Sequence, residues 1–196
     1  TGIETITIVD ATNKTADVVM GDNDTQIATG VTLTVDASAL TSSNAFLFTG
    51  TESETDGQVS VTSAGGADTL TGTAGNDTLV AAAGIDSLTG GGGDDTYTGG
   101  TEVDVFNLGT QSQADGDTIT DFATGEDIVL TLDYSSIASG LSVHVDRAST
   151  GVANSAIATT LSSVRGSYVY DTTNSKLVVD VNGDQSITSA DISVTV

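Results

Sequence analysis

A nonapeptide repeated five times without interruption constrains this chain more than any other feature. The copies occupy residues 63–107 and read SAGGADTLT, GTAGNDTLV, AAAGIDSLT, GGGGDDTYT and GGTEVDVFN. The eighth position is always a large apolar or aromatic residue, and the fourth is glycine except in the last copy, which has Glu102. Three features therefore recur every nine residues: a turn glycine, an acid and an inward side chain. A repeat of this kind indicates short coils stacked on one another. The sixth position is always aspartate: Asp68, Asp77, Asp86, Asp95 and Asp104.

This repeat resembles the calcium-binding nonapeptides of the RTX (repeats-in-toxin) family. The resemblance implies that two nonapeptides form one coil of a parallel β-roll, with Ca²⁺ held between the turns of neighbouring coils. About three ions are then expected, bridging Asp68 and Asp86, Asp77 and Asp95, and Asp86 and Asp104. The inward side chains are expected in two stacks, which are Leu70, Leu88 and Phe106 on one sheet and Leu79 and Tyr97 on the other.

The residue types of the repeat suit calcium. Glycine permits positive φ and close approach of the backbone, so that carbonyl groups can face an ion. Aspartate supplies a hard carboxylate oxygen of the kind that Ca²⁺ prefers. The chain has 22 Asp but only 5 Glu, and its net charge is −23. A merely soluble acidic surface is the alternative, but such a surface uses both acids. The excess of aspartate in turns therefore favours calcium.

The predicted fold class is all-β: a right-handed parallel β-solenoid that runs into a calcium-bound RTX parallel β-roll with a C-terminal β cap. Apolar and polar residues alternate with period two, and aromatic residues make up only 4% of the chain. The chain has no cysteine, which excludes disulfides and thiolate metal sites. We expect no transmembrane segment, because no apolar run is long enough. Nucleic acid and anionic membranes are poor partners at this charge.

Three regions are predicted along the chain. Residues 1–62 are expected to form an irregular parallel β-helix, residues 63–107 the β-roll of five nonapeptides, and residues 108–196 a β-rich cap. The Gly21–Asp24 turn either holds another ion or is an Asx-rich turn without one. The chain begins inside a strand-like run and shows no signal peptide, so we expect it to be a piece of a longer protein. The strands expected in the first region are Ile3–Val9, Val31–Val35, Ala45–Phe48 and Gln58–Thr62.

The segment after the repeats is similar to the strand–turn–strand that closes an RTX roll. The resemblance covers Asp117–Phe122 and Gly125–Leu130 and makes Asp121 and Asp127 candidate calcium ligands. Capping of a turn by the aspartate alone is the alternative. In the fifth repeat, either Glu102 distorts the last coil or its carboxylate becomes a ligand.

A second calcium motif lies near the end of the chain. Residues 180–191, DVNGDQSITSAD, have the oxygen spacing of an EF-hand-type loop and resemble the first loop of a dockerin. Gln185 stands where the sharp-turn glycine is expected, and a solvated Asx turn is the alternative. The last residues, Asp191–Val196, resemble the uncleaved C-terminal signal of type I secretion substrates. The candidate ligands are Asp180, Asn182, Asp184, Ser186 through its carbonyl, and Asp191.

Catalysis is not expected from this composition. His144 is the single histidine, the four Lys and Arg residues are scattered, and no nucleophile elbow is present. We expect an extracellular calcium-binding structural protein, the C-terminal part of a bacterial surface-layer protein that leaves the cell by the type I secretion apparatus and self-associates in a calcium-dependent lattice. The alternatives are a calcium-dependent secretion and folding module behind an RTX enzyme or toxin, and the C-terminal part of an RTX adhesin.

Overall fold

The computed structural model describes residues 4–9, 15–21, 27–40, 44–55, 57–132, 141–146, 167–171, 176–180 and 192–195. Within these ranges the chain is built from short strands and one helical turn, and no helix there is long and apolar enough to cross a membrane. The elements are β1 (Thr5–Thr7), β2 (Ala16–Val19), β3 (Thr32–Asp36), β4 (Phe46–Thr49), β5 (Gln58–Thr62), β6 (Thr69–Thr71), β7 (Thr78–Val80), β8 (Ser87–Thr89), β9 (Thr96–Thr98), β10 (Val105–Thr110), α1 (Gln111–Ala114), β11 (Thr118–Ile119), β12 (Asp127–Leu132), β13 (Leu141–Asp146), β14 (Ser167–Asp171), β15 (Lys176–Asp180) and β16 (Ile192–Thr195).

Successive strands alternate between two sheets. The first sheet has the order β1, β3, β5, β7, β9 and β11, and the second has β2, β4, β6, β8, β10 and β12. Every pairing within these two series is parallel. A chain that passes back and forth between two parallel sheets is a β-solenoid, so the predicted fold class is confirmed. Both sheets continue across the predicted boundary at residue 62.

The length of a coil changes along the solenoid. Within the nonapeptides, residues that stack on each other are 18 apart, and Leu70 accordingly lies beside Leu88. Earlier coils are longer, because Thr32 lies beside Gln58, 26 residues further on. The structure therefore has the register of two nonapeptides per coil that the RTX resemblance implies.

A core one side chain deep fills the space between the sheets. Leu70, Leu88 and Phe106 stack in one sheet and Leu79 stacks on Tyr97 in the other, as predicted, and all five are fully buried. The rings of Tyr97 and Phe106 meet edge to face with their centroids 6.1 Å apart. Such a pair contributes roughly 0.5–1.5 kcal/mol beyond the area that it buries. This contact joins the two stacks at the last nonapeptides.

Antiparallel strands cover the C-terminal end of the solenoid. β13 pairs antiparallel with β12, β14 with β15, and β15 with β16, while β16 also lies beside β11. β14 and β15 form a hairpin, in which Tyr168 pairs with Val179 and Tyr170 with Leu177. The last strands of a parallel solenoid expose unpaired backbone groups, which attract other strands. The cap occupies those groups on β11 and β12.

Candidate metal centre

The repeated aspartates form two rows, one along each edge of the solenoid where the chain crosses between the sheets. Each row stands directly before the strands of one sheet, and every side chain in it is at most 2% exposed. Edge A comprises the turns that enter β6, β8 and β10 and carry Asp68, Asp86 and Asp104. Edge B comprises the turns that enter β7, β9 and β11 and carry Asp77, Asp95 and Asp117.

One oxygen of each aspartate ties two coils together. On both edges Oδ1 accepts the backbone N–H of the aspartate one coil earlier, over 2.7–3.0 Å. At the upstream ends of the rows, Asp68 accepts the N–H of Phe46 and Asp77 accepts that of Val59. Hydrogen bonds to charged groups contribute about 1.5–3 kcal/mol each. The rows therefore fix the register of the coils as well as concentrating negative charge.

Burial is the largest cause of raised pKa values in these rows. It raises the pKa of Asp95 to about 8, and the pKa values of Asp86 and Asp117 to about 7. For Asp86, the N–H donated by Asp68 lowers the pKa, while the neighbouring carboxylates of Asp68 and Asp104 raise it further. A cation bound between the carboxylates would lower all of these pKa values, because it supplies the positive charge that the rows lack.

The second carboxylate oxygen on edge A fits a metal ligand. Oδ2 of Asp68, Asp86 and Asp104 is buried and accepts no hydrogen bond. The hydroxyl of Ser63 donates to the carbonyl of Ala81 at 2.7 Å. Burial raises the pKa of Asp68, whereas this nearby hydroxyl and the N–H groups of Phe46 and Ala64 lower it, so Asp86 and Asp104 are the clearest cases of an oxygen without a donor. A buried charged oxygen without a donor is costly, and such atoms are rare in folded proteins. Calcium would satisfy these oxygens with the type of ligand that it prefers.

Backbone carbonyls are the other oxygen atoms that the turns of edge A offer. A Cβ atom at Gly84 would lie 1.7 Å from the oxygen of Gly66, and one at Gly100 would lie 1.8 Å from the oxygen of Ala82. Both glycines also have positive φ, which glycine adopts at no steric cost and a residue with a side chain adopts only under strain. No group of three or more Asp, Glu, His or Cys side chains that could hold a metal occurs within the described ranges. A calcium shell on edge A therefore needs carbonyl oxygens beside the carboxylates.

Edge B differs because other side chains already donate to its second oxygens. Oδ2 of Asp77 accepts the N–H of Thr73, and it accepts the Thr73 hydroxyl at 3.0 Å. The hydroxyl of Tyr97 lies 3.2 Å from Oδ2 of Asp117 and 3.5 Å from Oδ2 of Asp95. A calcium ion on this edge would have to share oxygens that already accept hydrogen bonds.

The last repeat keeps its coil although Glu102 replaces the glycine at the fourth position. Of the two outcomes expected for it, distortion does not occur, because Glu102 adopts the left-handed conformation itself, with φ of 78°. This conformation costs an L-residue roughly 1–2 kcal/mol. The carboxylate accepts the N–H of Gly84 at 2.9 Å and the hydroxyl of Thr101 at 2.7 Å, which offsets part of the strain. A calcium-ligand role for Glu102 stays a prediction.

A pair of glycine substitutions tests the strain in these turns. Ala82 has φ of 74° and stands where the two following repeats have Gly91 and Gly100. We expect Ala82→Gly to raise the free energy of unfolding by roughly 0.5–1 kcal/mol, because relief of the left-handed strain exceeds the entropy that glycine loses. Ala83→Gly, at an ordinary φ, should instead lower it by about 0.5–1 kcal/mol. Denaturant unfolding of the calcium-saturated protein measures both, and shifts of the same sign would contradict the assignment of strain.

Two buried acids belong to the rows although the sequence analysis missed them. Asp117 continues edge B, because it accepts the N–H of Asp95 at 2.9 Å. Glu126 is fully buried and stands directly before β12, as Asp104 stands before β10 on the same edge. The signal that could have found them is an acidic residue directly before a short strand.

The two acids predicted as ligands in the closing segment lie outside the rows. The oxygens of Asp121 accept the N–H groups of Gly99 at 3.0 Å and Gly100 at 2.7 Å, so Asp121 caps a turn. Asp127 is the first residue of β12 and stands one position beyond the row, with Glu126 in line with edge A instead. Calcium binding by either residue stays a prediction.

The EF-hand-like loop falls mostly outside the described residues. Asp180 is the last residue of β15, and Asp22–Asp24 of the early turn also lie outside the described ranges. His144 is in β13, paired with Val129 of β12. The other candidate ligands of the loop, which are likewise outside, are Asn182, Asp184, Ser186 and Asp191.

Comparison with known proteins identifies the repeat region. The family described as RTX calcium-binding nonapeptide repeat matches residues 62–96 and 71–106, with four copies. No curated protein and no solved structure matches the chain. The matched residues include both edges of the solenoid except Asp117. Repeats of this family indicate calcium-binding proteins that are typically exported by type I secretion. Residues 62–106 of this chain therefore form an RTX calcium-binding nonapeptide repeat region.

Proposed function

We propose that this chain is part of an extracellular calcium-binding structural protein, a bacterial surface-layer protein that folds and assembles on binding Ca²⁺ after type I secretion. The observation that carries the calcium assignment is the row on edge A. There the Oδ2 atoms of Asp86 and Asp104 are buried without a donor, within repeats of a calcium-binding family.

The continuity of the solenoid supports a structural coat rather than a separate secretion module. The strands before residue 62 and the strands of the repeats belong to the same two sheets, and no linker intervenes between β5 and β6. A module attached behind an independent enzyme is expected to begin at a domain boundary with few contacts across it. Here the boundary is crossed by parallel pairing on both sheets, for example between β4 and β6.

The outward face of the first sheet supports assembly. Thr78, Thr96 and Thr118 stack in register along it. The hydroxyls of Thr98 and Thr120 lie 2.8 Å apart in a parallel row. In β7, β9 and β11 this threonine face carries no charged side chain, although Asp36 of β3 lies further along the same row. The aspartate rows are on the edges instead. Copies of the chain can therefore pack through the face without opposing carboxylates, even in a protein whose net charge is −23.

We propose no enzymatic activity for the chain. It has one histidine and four basic side chains. Among the described residues, the buried carboxylates other than Glu54 lie in the two aspartate rows or in line with them. Chemistry on a sugar acid or a phosphate would need cationic groups beside the substrate.

Calcium-dependent self-association tests the proposal. We expect light scattering to show large assemblies at millimolar calcium and none in chelator, because calcium both folds the coils and neutralises the edges. The same titration with magnesium is the control for general charge screening. A folded monomer at all millimolar calcium concentrations would contradict the surface-layer assignment and favour the secretion module. The folded monomer would have to be found both with this chain and with the full product of its gene.

A further inference from the structure

The two edges of the solenoid differ in the hydrogen bonds that reach the Oδ2 atom of each aspartate. On edge A the Oδ2 atoms of Asp68, Asp86 and Asp104 accept no hydrogen bond, although all three are buried. On edge B the corresponding atoms lie within hydrogen-bond distance of Thr73 or Tyr97. The Oδ1 atoms do not differ, because on both edges they accept a backbone N–H of the preceding coil.

The sequence explains the difference between the edges. Thr73 is at the second position of its repeat, where the repeats of edge A have Ala64, Ala82 and Gly100. Tyr97 is at the eighth position, where those repeats have leucine or phenylalanine. On edge A the Ser63 hydroxyl lies near Asp68 and lowers its pKa, but among the described residues no hydroxyl acts in this way on Asp86 or Asp104. On edge B, Thr73 and Tyr97 bring hydroxyls to all three aspartates.

Tyr97 is held where its hydroxyl cannot leave the aspartates. Its side chain is fully buried, and its ring packs on Phe106 at 6.1 Å. The hydroxyl oxygen accepts the N–H of Gly90 at 3.0 Å. Its single proton is therefore available to the carboxylates, at 3.2 Å to Asp117 and 3.5 Å to Asp95. A Cβ atom at Gly90 would lie 2.2 Å from this hydroxyl, so the hydroxyl occupies the space that a side chain at this turn would need.

We propose that the two edges take up calcium in order, edge A first and edge B second, because the Tyr97 hydroxyl competes with calcium for the carboxylates of Asp95 and Asp117. This inference rests on the proposed calcium function and adds an internal hierarchy to it. On edge A, calcium meets buried oxygens that have no other partner. On edge B, calcium must replace a hydrogen bond to a charged group, which weakens binding about tenfold or more.

Matched asparagine substitutions at the centre of each row separate the edges. Asp86 takes part in both aspartate pairs of edge A, and Asp95 takes part in both pairs of edge B. We expect calorimetric titration of the protein with calcium to resolve a tight and a weak class of sites. Asp86→Asn should remove the tight class, and Asp95→Asn should remove the weak one. Loss of the tight class in Asp95→Asn would overturn the proposed order.

Tyr97→Phe tests the role of the hydroxyl itself. Phenylalanine already occupies the equivalent inward position at Phe106, so the substitution keeps the core. It removes the competing donor and also the acceptor of the Gly90 N–H. We expect the weak class to bind calcium about tenfold more tightly, as the lost hydrogen bond to a charged group implies. An unchanged or weakened second class would show that the hydroxyl is neutral towards calcium or assists it, and either result would overturn the proposal.

A measurement on the unsubstituted protein covers the case in which a variant fails to fold. Carbon-13 labelling at the tyrosine ring carbon that bears the hydroxyl gives one NMR signal for Tyr97, assigned through its ring protons, which lie beside the Phe106 ring. During a calcium titration we expect the amide signals of Asp68 and Asp86 to reach their final positions when the coils fold, and the Tyr97 signal to shift again at higher calcium. A Tyr97 signal that is complete together with these amide signals would contradict the order but leave the calcium function standing. Absence of any calcium-dependent shift would contradict the calcium function itself.

Discussion

In excess chelator at neutral pH and low salt, we expect this chain to lose most of its β-sheet signal in far-ultraviolet circular dichroism. Carboxylates about 4 Å apart repel each other by roughly 4 kcal/mol at an effective dielectric constant near 20. Each edge stacks such groups, and the core that opposes them is one side chain deep between Leu70 and Phe106. Binding energy then becomes folding energy, as in small metal-dependent domains.

Adding calcium should restore the β-sheet signal cooperatively, with a midpoint of about 10⁻⁴–10⁻³ M, the range of extracellular calcium modules. Magnesium at the same concentrations is the control, because it demands a smaller octahedral shell and gives up water reluctantly. Since cytosolic calcium lies far below this midpoint, the chain would stay unfolded for export and fold outside the cell. A cooperative β-sheet melt in chelator that calcium leaves unchanged would sink this prediction.

Protons should replace calcium in part, so acid should fold the calcium-free chain. In the fold, the pKa is raised to about 6 for Asp77, about 7 for Asp86 and Asp117, and about 8 for Asp95. An unfolded aspartate titrates near about 4. A pKa raised by folding contributes stability that is fully present below the unfolded value and is lost as pH rises through the folded value. The calcium-free fold should therefore lose stability between about pH 4 and pH 8.

Circular dichroism in chelator across this range tests the prediction, with light scattering as the control for precipitation near the isoelectric point of about 4.1. For Asp117, a pKa near 7 corresponds to about 4 kcal/mol between the two ends of the range. Where acid keeps the calcium-free chain folded, calcium must displace protons, so the calcium midpoint there should fall as pH rises, by up to about tenfold per pH unit for each proton displaced. A calcium-free spectrum and a calcium midpoint that are both independent of pH would contradict the assignment of the raised pKa values.

Much of the fold could be predicted because the spacing of the repeat determines which residues stack on each other in neighbouring coils. With aspartate at the sixth position and an apolar residue at the eighth, stacking every second copy places Leu70 on Leu88 and Asp68 beside Asp86, as the structure has them. The period sets the spacing, so no knowledge of distant contacts is needed. The hairpin of β14 and β15 was equally local, because its two strands are adjacent in the chain.

Prediction failed where the period changes. Helix α1 (Gln111–Ala114) enlarges the coil after β10, and Asp117 therefore stacks on Asp95 at a separation of 22 residues instead of 18. A search at fixed spacing passes over Asp117 and Glu126. Strand β2 was missed for a different reason. Its four residues, ADVV, include the charged Asp17 and are half-buried or exposed, so they do not stand out as an apolar run. The parallel pairing with β4 that defines the strand is set by tertiary contact.

The separation of 18 residues between stacked aspartates has a consequence for how such a chain can lengthen. Each coil contacts only its immediate neighbours, so whole coils can be gained or lost without altering the rest. A single nonapeptide is half a coil. Duplicating one copy would exchange the two sheets for everything that follows, moving Tyr97 and the cap strands to the opposite side. Duplicating a pair of copies leaves every later contact intact. We therefore expect the number of nonapeptides between the first region and the cap to change during evolution only by even numbers.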